Sequence, residues 1–256
     1  ASEGKIATFV HHVARVCTRR LWAMSPDRYQ HLFGEPFRIT EPTYVASVDE
    51  ARAKADVPGE CSALLWLTFA RIHMGTAGPA IATARAAAEL TAVHGTEQQK
   101  IESRLWLSMA LHFSNDASAP TEFDTLPAQL DAVGLHHLSP VARILGLRER
   151  TRTSTSPTLL EQCTEVAAEA EAGTDPYVKC FVQRVAGMML SGLGERTRAI
   201  ECLERARDAA QQHELLSQLA RTLSAIGAVY AEHSRTREAL TELLAAIPLY
   251  DKLEIR

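Results

Sequence analysis

Ten histidines, five cysteines and a spaced row of glutamates are the residues from which this 256-residue chain could build a reactive centre. A metal site needs imidazoles or thiolates that converge on one point. His11-His12 and His136-His137 are adjacent pairs, and neighbours in sequence point in different directions, so neither pair shares an ion easily. The cysteines Cys17, Cys61, Cys163, Cys180 and Cys202 are scattered, odd in number and never spaced as C-x-x-C, which predicts packed, reduced thiols and no disulfide framework. Glu161, Glu165 and Glu169 imitate the paired carboxylates of acid–base catalysis, but an i, i+4, i+8 row on one helix is the pattern of solvated charge. Gly192-Leu193-Gly194 opens like a dinucleotide fingerprint, yet no strand precedes it and the third glycine is missing, so a turn is predicted. No nucleophile elbow, Walker loop or zinc-hydrolase motif is present. The expectation is a protein that is not an enzyme and uses no cofactor and no metal.

Composition sets the remaining limits. An apolar fraction of 46% and a charged fraction of 23% belong to a foldable globular chain, and a net charge of −4 gives no global attraction to nucleic acid or anionic lipid. No run of eighteen apolar residues occurs, and the opening Ala1-Ser2-Glu3-Gly4-Lys5 leads into a pattern broken by His11, His12 and Arg15. No membrane span and a cytoplasmic location are expected.

The elements that would position any site are helices. Alternating apolar and polar runs between turn signals are almost absent, whereas helix starts are frequent. Ser25-Pro26, Ser139-Pro140, Ser156-Pro157 and Asp175-Pro176 each set a capping side chain before a proline, whose missing N–H costs nothing in the first turn. Thr96 and Gln99 have capping-box spacing. These signals predict helices at about 5–24, 26–33, 46–56, 61–74, 79–94, 97–114, 122–133, 140–151, 157–172, 176–191, 195–212, 215–232 and 236–252. The polar stretches 115–125 and 151–157 read as exposed turns.

Trp66-x2-Phe69-Ala70-x2-His73 recurs forty residues later as Trp106-x2-Met109-Ala110-x2-Phe113. The frame continues on Ala142-Leu145-Gly146-Glu149, Gln183-Ala186-Gly187-Leu190 and Leu223-Ile226-Gly227-Tyr230, with steps of 40, 36, 41 and 40 between the small residues. Second helices repeat as well: Ala199-Ile200-x2-Leu203-x2-Ala206 matches Ala239-Leu240-x2-Leu243-x2-Ala246. This frame resembles the tetratricopeptide repeat (TPR) family, best over residues 183–246. Glu122 and Thr158 stand where the family has alanine, the closing proline is absent, and the period is longer than the family's. The resemblance implies an all-α chain of antiparallel helix hairpins wound into a right-handed superhelix, an α-α solenoid. Residues 1–60 are expected to form an atypical N-terminal helical cap, and residues 61–256 an array of about five hairpins.

In such an array the first helices line the concave side. The groove-facing positions then include Arg71 in the first unit, Arg104, Leu107 and Leu111 in the second, Arg143 and Arg150 in the third, Phe181, Arg184 and Met188 in the fourth, and Arg221 in the fifth. Guanidinium forks bind carboxylates bidentately, so a protein or acidic peptide is the expected partner. Alternatively these arginines pair with neighbouring acids such as Glu102, Glu149 or Glu214 and merely solvate a helix face. His73 and His112 lie near the same groove, as pH-sensitive groups or as packed substitutes for the family's aromatic. The apolar run Leu249–Ile255 on the last helix implies a continuation of the array, a following effector domain, or a partner or homodimer contact. By analogy of fold, such arrays serve as regulatory or sensory arms of bacterial signalling proteins, in front of diguanylate cyclases or behind the ATPase of transcription activators. A groove that senses a small molecule or signal peptide is the second expectation.

Overall fold

The computed structural model describes residues 37–114, 122–152 and 156–253. These contain eleven α-helices, two short 3-10 turns and no strand, so the described chain is all-α, as the turn and capping signals predict. It divides into two compact units, the first ending at Glu122 and the second beginning at Phe123. Most of the expected cap, including the helices at 5–24 and 26–33 and the Ser25-Pro26 start, lies outside the described residues.

The first unit stacks α1 (Phe37–Ala53), α2 (Val57–Met74), α3 (Ala77–His94) and α4 (Glu97–Phe113). Each helix packs on the next, and α2 also packs on α4. Helix α1 begins well before the expected residue 46. Pro42 lies inside it and removes one hydrogen bond near its start. Packing outweighs that loss: Tyr44 stacks on Trp66 at 6.3 Å, and Val48 and Ala51 are buried. Helix α2 likewise starts before the expected residue 61, because Asp56 caps it, its Oδ1 accepting from the Gly59 N–H at 3.0 Å. The capping box of α4 forms in both directions, Gln99 N to Thr96 Oγ1 at 3.2 Å and Thr96 N to Gln99 Oε1 at 3.0 Å.

The second unit contains α5 (Leu126–Ala132), α6 (Ser139–Thr151), α7 (Pro157–Ala172), α8 (Pro176–Gly192), α9 (Arg196–Gln212), α10 (Leu216–Glu232) and α11 (Thr236–Leu253). Consecutive helices pack in order, and α8 additionally touches α6 and α10. Ser156 and Asp175 cap α7 and α8 through the N–H groups of Thr158 and Val178, at 3.2 and 3.0 Å. Ser139 does not cap α6. It is already helical, and its hydroxyl donates to Asp131 at 3.4 Å. Of the stretch 115–125 expected as an exposed turn, residues 115–121 lie outside the described residues; Glu122–Asp124 form a 3-10 turn with Phe123 buried, and the helix expected from 122 begins at Leu126.

Three consecutive turns of this unit share one geometry, which the turn at Gly134 also has, with φ of 79° and Leu135 N donating to Leu130 O at 2.8 Å. Gly194, Glu214 and Ser234 have φ of 86°, 54° and 58°, and the residue after each donates back to the preceding helix: Glu195 N to Leu190 O at 2.9 Å, Leu215 N to Ala210 O at 2.8 Å, and Arg235 N to Tyr230 O at 2.9 Å. This is the left-handed helix stop that satisfies orphan carbonyls. It recurs every twenty residues, and Gly192-Leu193-Gly194 is one of these turns.

The small residues of the frame mark the helix crossings. A Cβ on Gly187 would meet Leu203 Cγ at 2.6 Å and the Ala199 carbonyl oxygen at 2.8 Å; one on Gly227 would meet Leu243 Cγ at 2.7 Å and the Ala239 oxygen at 3.2 Å. The two crossings use matching residues forty positions apart. At Gly187 the obstacle is backbone, and Leu203 is fully buried. At Gly227 the tightest contact is a half-exposed leucine that can swing aside. Gly187→Ala is therefore expected to destabilise the second unit by about 1–3 kcal/mol, and Gly227→Ala by clearly less, in urea melts followed by circular dichroism. Equal losses would show that the Ala199 carbonyl does not set the spacing. Gly146 differs: its added Cβ would meet Phe123 Cβ at 3.2 Å, so the middle copy takes its close approach from the preceding turn and not from the helix after it.

Candidate functional site

The residues that stand out lie on α8. Tyr177, Phe181 and Arg184 recur at i, i+4 and i+7, one face of a helix. Tyr177 and Phe181 are fully buried with ring centroids 5.7 Å apart, and the Arg184 guanidinium carbon lies 5.3 Å from the centre of the Phe181 ring. Arg184 itself is only 9% exposed, and its Nε has no hydrogen-bond partner. No carboxylate of the described residues lies within ion-pairing distance of it; the groups that favour its charge are Cys180, Tyr177 and Tyr250. Burying a guanidinium without an acid is costly.

Two helices that pack on α8 add more positive charge. Arg148 on α6 and Arg221 on α10 have their pKa values lowered by burial first and by the charge of Arg184 next. Burial likewise lowers the pKa of Arg184 and raises that of Tyr177 well above the usual phenol range. On α11, Tyr250 accepts a hydrogen bond from the Ser224 hydroxyl at 3.1 Å. Arg184 and Arg221 thus lie near the Tyr177 phenol, and Arg148 lies near Arg184, so three arginines from three helices share one region. The chemistry they offer is recognition of an oxyanion: guanidinium N–H groups for its oxygens, and a dry setting in which each contact counts for more.

The other expected groove residues fall out differently. In the first unit, Arg71 donates from Nε to Glu41 Oε1 at 2.9 Å and also contacts Thr83. Arg104 donates from Nε to Glu122 Oε2 at 2.8 Å, Leu107 is half-buried and Leu111 is buried. In the second unit, Arg143 pairs with Glu169 and lies 3.9 Å from Glu165, which gives two members of the acidic row a partner. Arg150 is exposed, and Met188 is 39% exposed. Neighbouring acids thus pair with Arg71, Arg104 and Arg143, and these are Glu41, Glu122, Glu165 and Glu169. Glu149 pairs with Arg152 at 3.2 Å. Glu102 is buried and accepts from Trp106 Nε1 at 3.0 Å.

Arg148 was not among the expected groove residues. It lies two residues after Gly146, between the expected positions at 147 and 150. His73 and His112 are buried and packed edge-on against Phe69 and Phe113, with ring centroids at 4.5 and 5.2 Å, in the manner of packed aromatics.

The four described cysteines are free and buried. Burial pushes Cys163 up to about 12 and Cys180 up to about 11, so neither is a ready thiolate nucleophile. Among the described residues, no group of three or more histidine, cysteine, aspartate or glutamate side chains is placed to hold a metal ion, and no helix is long and apolar enough to cross a membrane.

No family model matches this sequence, and no curated protein matches it.

Proposed function

We propose that this chain is a non-enzymatic interaction module, a TPR-like right-handed superhelix in which the layer of first helices receives an acidic protein or peptide segment. Its place is the cytoplasmic regulatory or sensory arm of a larger bacterial signalling protein. One observation carries the reading: Arg184 is buried with an unsatisfied Nε, and no acid of the described residues lies beside it. A charge left in that state is expensive in the free protein and is offset when a ligand supplies the missing carboxylate. The matched crossings at Gly187 and Gly227 support the repeat architecture, and α8 lying against both α6 and α10 supports a layer of first helices.

The near-complete burial of Arg184 also favours a second reading, a sensor whose ligand is a small organic acid reaching one guanidinium. Calorimetric titration separates the two. An acidic peptide is expected to bind in the micromolar range, its neutral amide form at least tenfold more weakly, and small dicarboxylates not measurably. Tight binding of a small acid favours the sensor, and equal binding of acidic and neutral peptides removes the oxyanion role altogether.

A further inference from the structure

Helix α11 buries Ala239, Ala246 and Leu253 against the rest of its unit and leaves its opposite face uncovered. On that face Leu240, Leu244 and Ile247 are 55%, 56% and 51% exposed, at i, i+4 and i+7, a continuous apolar stripe. Arg237, Thr241, Pro248 and Asp251 are exposed beside them.

The repeat supplies an internal control, because α9 occupies the equivalent place forty residues earlier and is followed by α10. Ile200 and Leu203 on α9 pack into the cluster of Ala225, Ile226 and Val229, and their counterparts are Leu240 and Leu243. A further first helix in the array would account for those two. It would not account for Leu244 and Ile247, since α9 carries Glu204 and Arg207 at those positions, the glutamate exposed and the arginine partly so. Helix α11 is therefore apolar where the covered repeat keeps its charge.

The charges that remain fit a second copy of this chain. Arg237 lies seven residues before Leu244 and Asp251 seven residues after it. In an antiparallel pair of α11 helices centred on Leu244, Arg237 faces Asp251 of the second copy, Leu240 faces its Pro248, and Thr241 faces its Ile247. Each end of the pair carries one opposite-charge contact, as a twofold interface requires. Neither Arg237 nor Asp251 has an ion-pair partner within the described chain. We infer that the chain forms a twofold dimer through the exposed face of α11, paired antiparallel about Leu244 and framed by Arg237 and Asp251. At 1.5 Å per residue the face from Arg237 to Asp251 is about 21 Å long. A contact of that length lies at the low end of specific interfaces, so the dimer exchanges, with a Kd on the order of micromolar. The inference does not depend on the acidic-partner reading, because its test contains no ligand.

The test is sedimentation equilibrium of the whole chain across the micromolar range. Concentration-dependent dimerisation is expected. Leu244→Glu places two like charges face to face and is expected to leave a monomer with an unchanged melting temperature. Arg237→Asp or Asp251→Arg alone is expected to weaken the dimer about tenfold, and the two together are expected to restore it. That restoration is specific to a self-complementary pair and does not depend on how Leu244→Glu folds. A chain that stays monomeric, a dimer indifferent to Leu244→Glu, or a double swap that restores nothing would each overturn the proposal. So would a monomer that instead floats with anionic phosphatidylserine vesicles through this face.

Discussion

Arg184→Met is expected to make the second unit more stable by about 1–4 kcal/mol while abolishing acidic-peptide binding. The volume is roughly kept, the cation that lacks an acid is gone, and the thioether still packs over Phe181. An arginine that served the fold would behave in the opposite way, because its loss would cost packing and contacts. Thermal melts and calorimetric titration of the same protein check both halves. Higher melting temperature with lost binding identifies a residue kept for recognition at a cost in stability, whereas a lower melting temperature would assign Arg184 to the core.

The second large effect belongs to the first unit. Glu102 is buried, its Oε2 has no hydrogen-bond partner, and burial pushes its pKa from 4.5 to about 7 even though the Trp106 N–H favours the charged form. A carboxyl whose pKa is higher folded than unfolded binds more protons in the folded state. Stability is therefore fullest below about 4.5 and falls as pH rises through about 7, by about 3 kcal/mol in all. Glu102→Gln keeps the acceptor for Trp106 and cannot ionise. It is expected to flatten this dependence and to exceed the parent stability at pH 8. Both described tryptophans, Trp66 and Trp106, lie in the first unit, so fluorescence-detected urea melts at pH 5 and pH 8 read it directly. A parent stability that rises between those pH values would show that Glu102 is solvated.

Helix α7 and its cap could be read to the residue, because Ser156 followed by Pro157 is a local signal that needs no partner. The crossings at Gly187 and Gly227 were legible for a related reason: a side chain too large for a close approach is excluded wherever the helices meet, so the spacing survives in the residues. Helix α1 was misplaced at its start, since Pro42 is a local signal against a helix and the packing of Tyr44 on Trp66 that overrides it is not local. The arginines divide in the same way. Their abundance on first helices is visible in the sequence, but which acid each one meets depends on residues such as Glu41, thirty positions from Arg71. The orphaned state of Arg184 is a property of three packed helices that no window of sequence contains.

The left-handed stops at Gly194, Glu214 and Ser234 carry a consequence for how such a chain can grow. A cut after Gly194 rejoined at Arg235 would connect one stop to an equivalent one and would present Gly187 with Ala239 and Leu243 in place of Ala199 and Leu203, the same pair of residue types. The forty residues from Glu195 to Ser234 are thus expected to be removable or repeatable as a block, joined where the backbone already turns the same way, with no new crossing to invent.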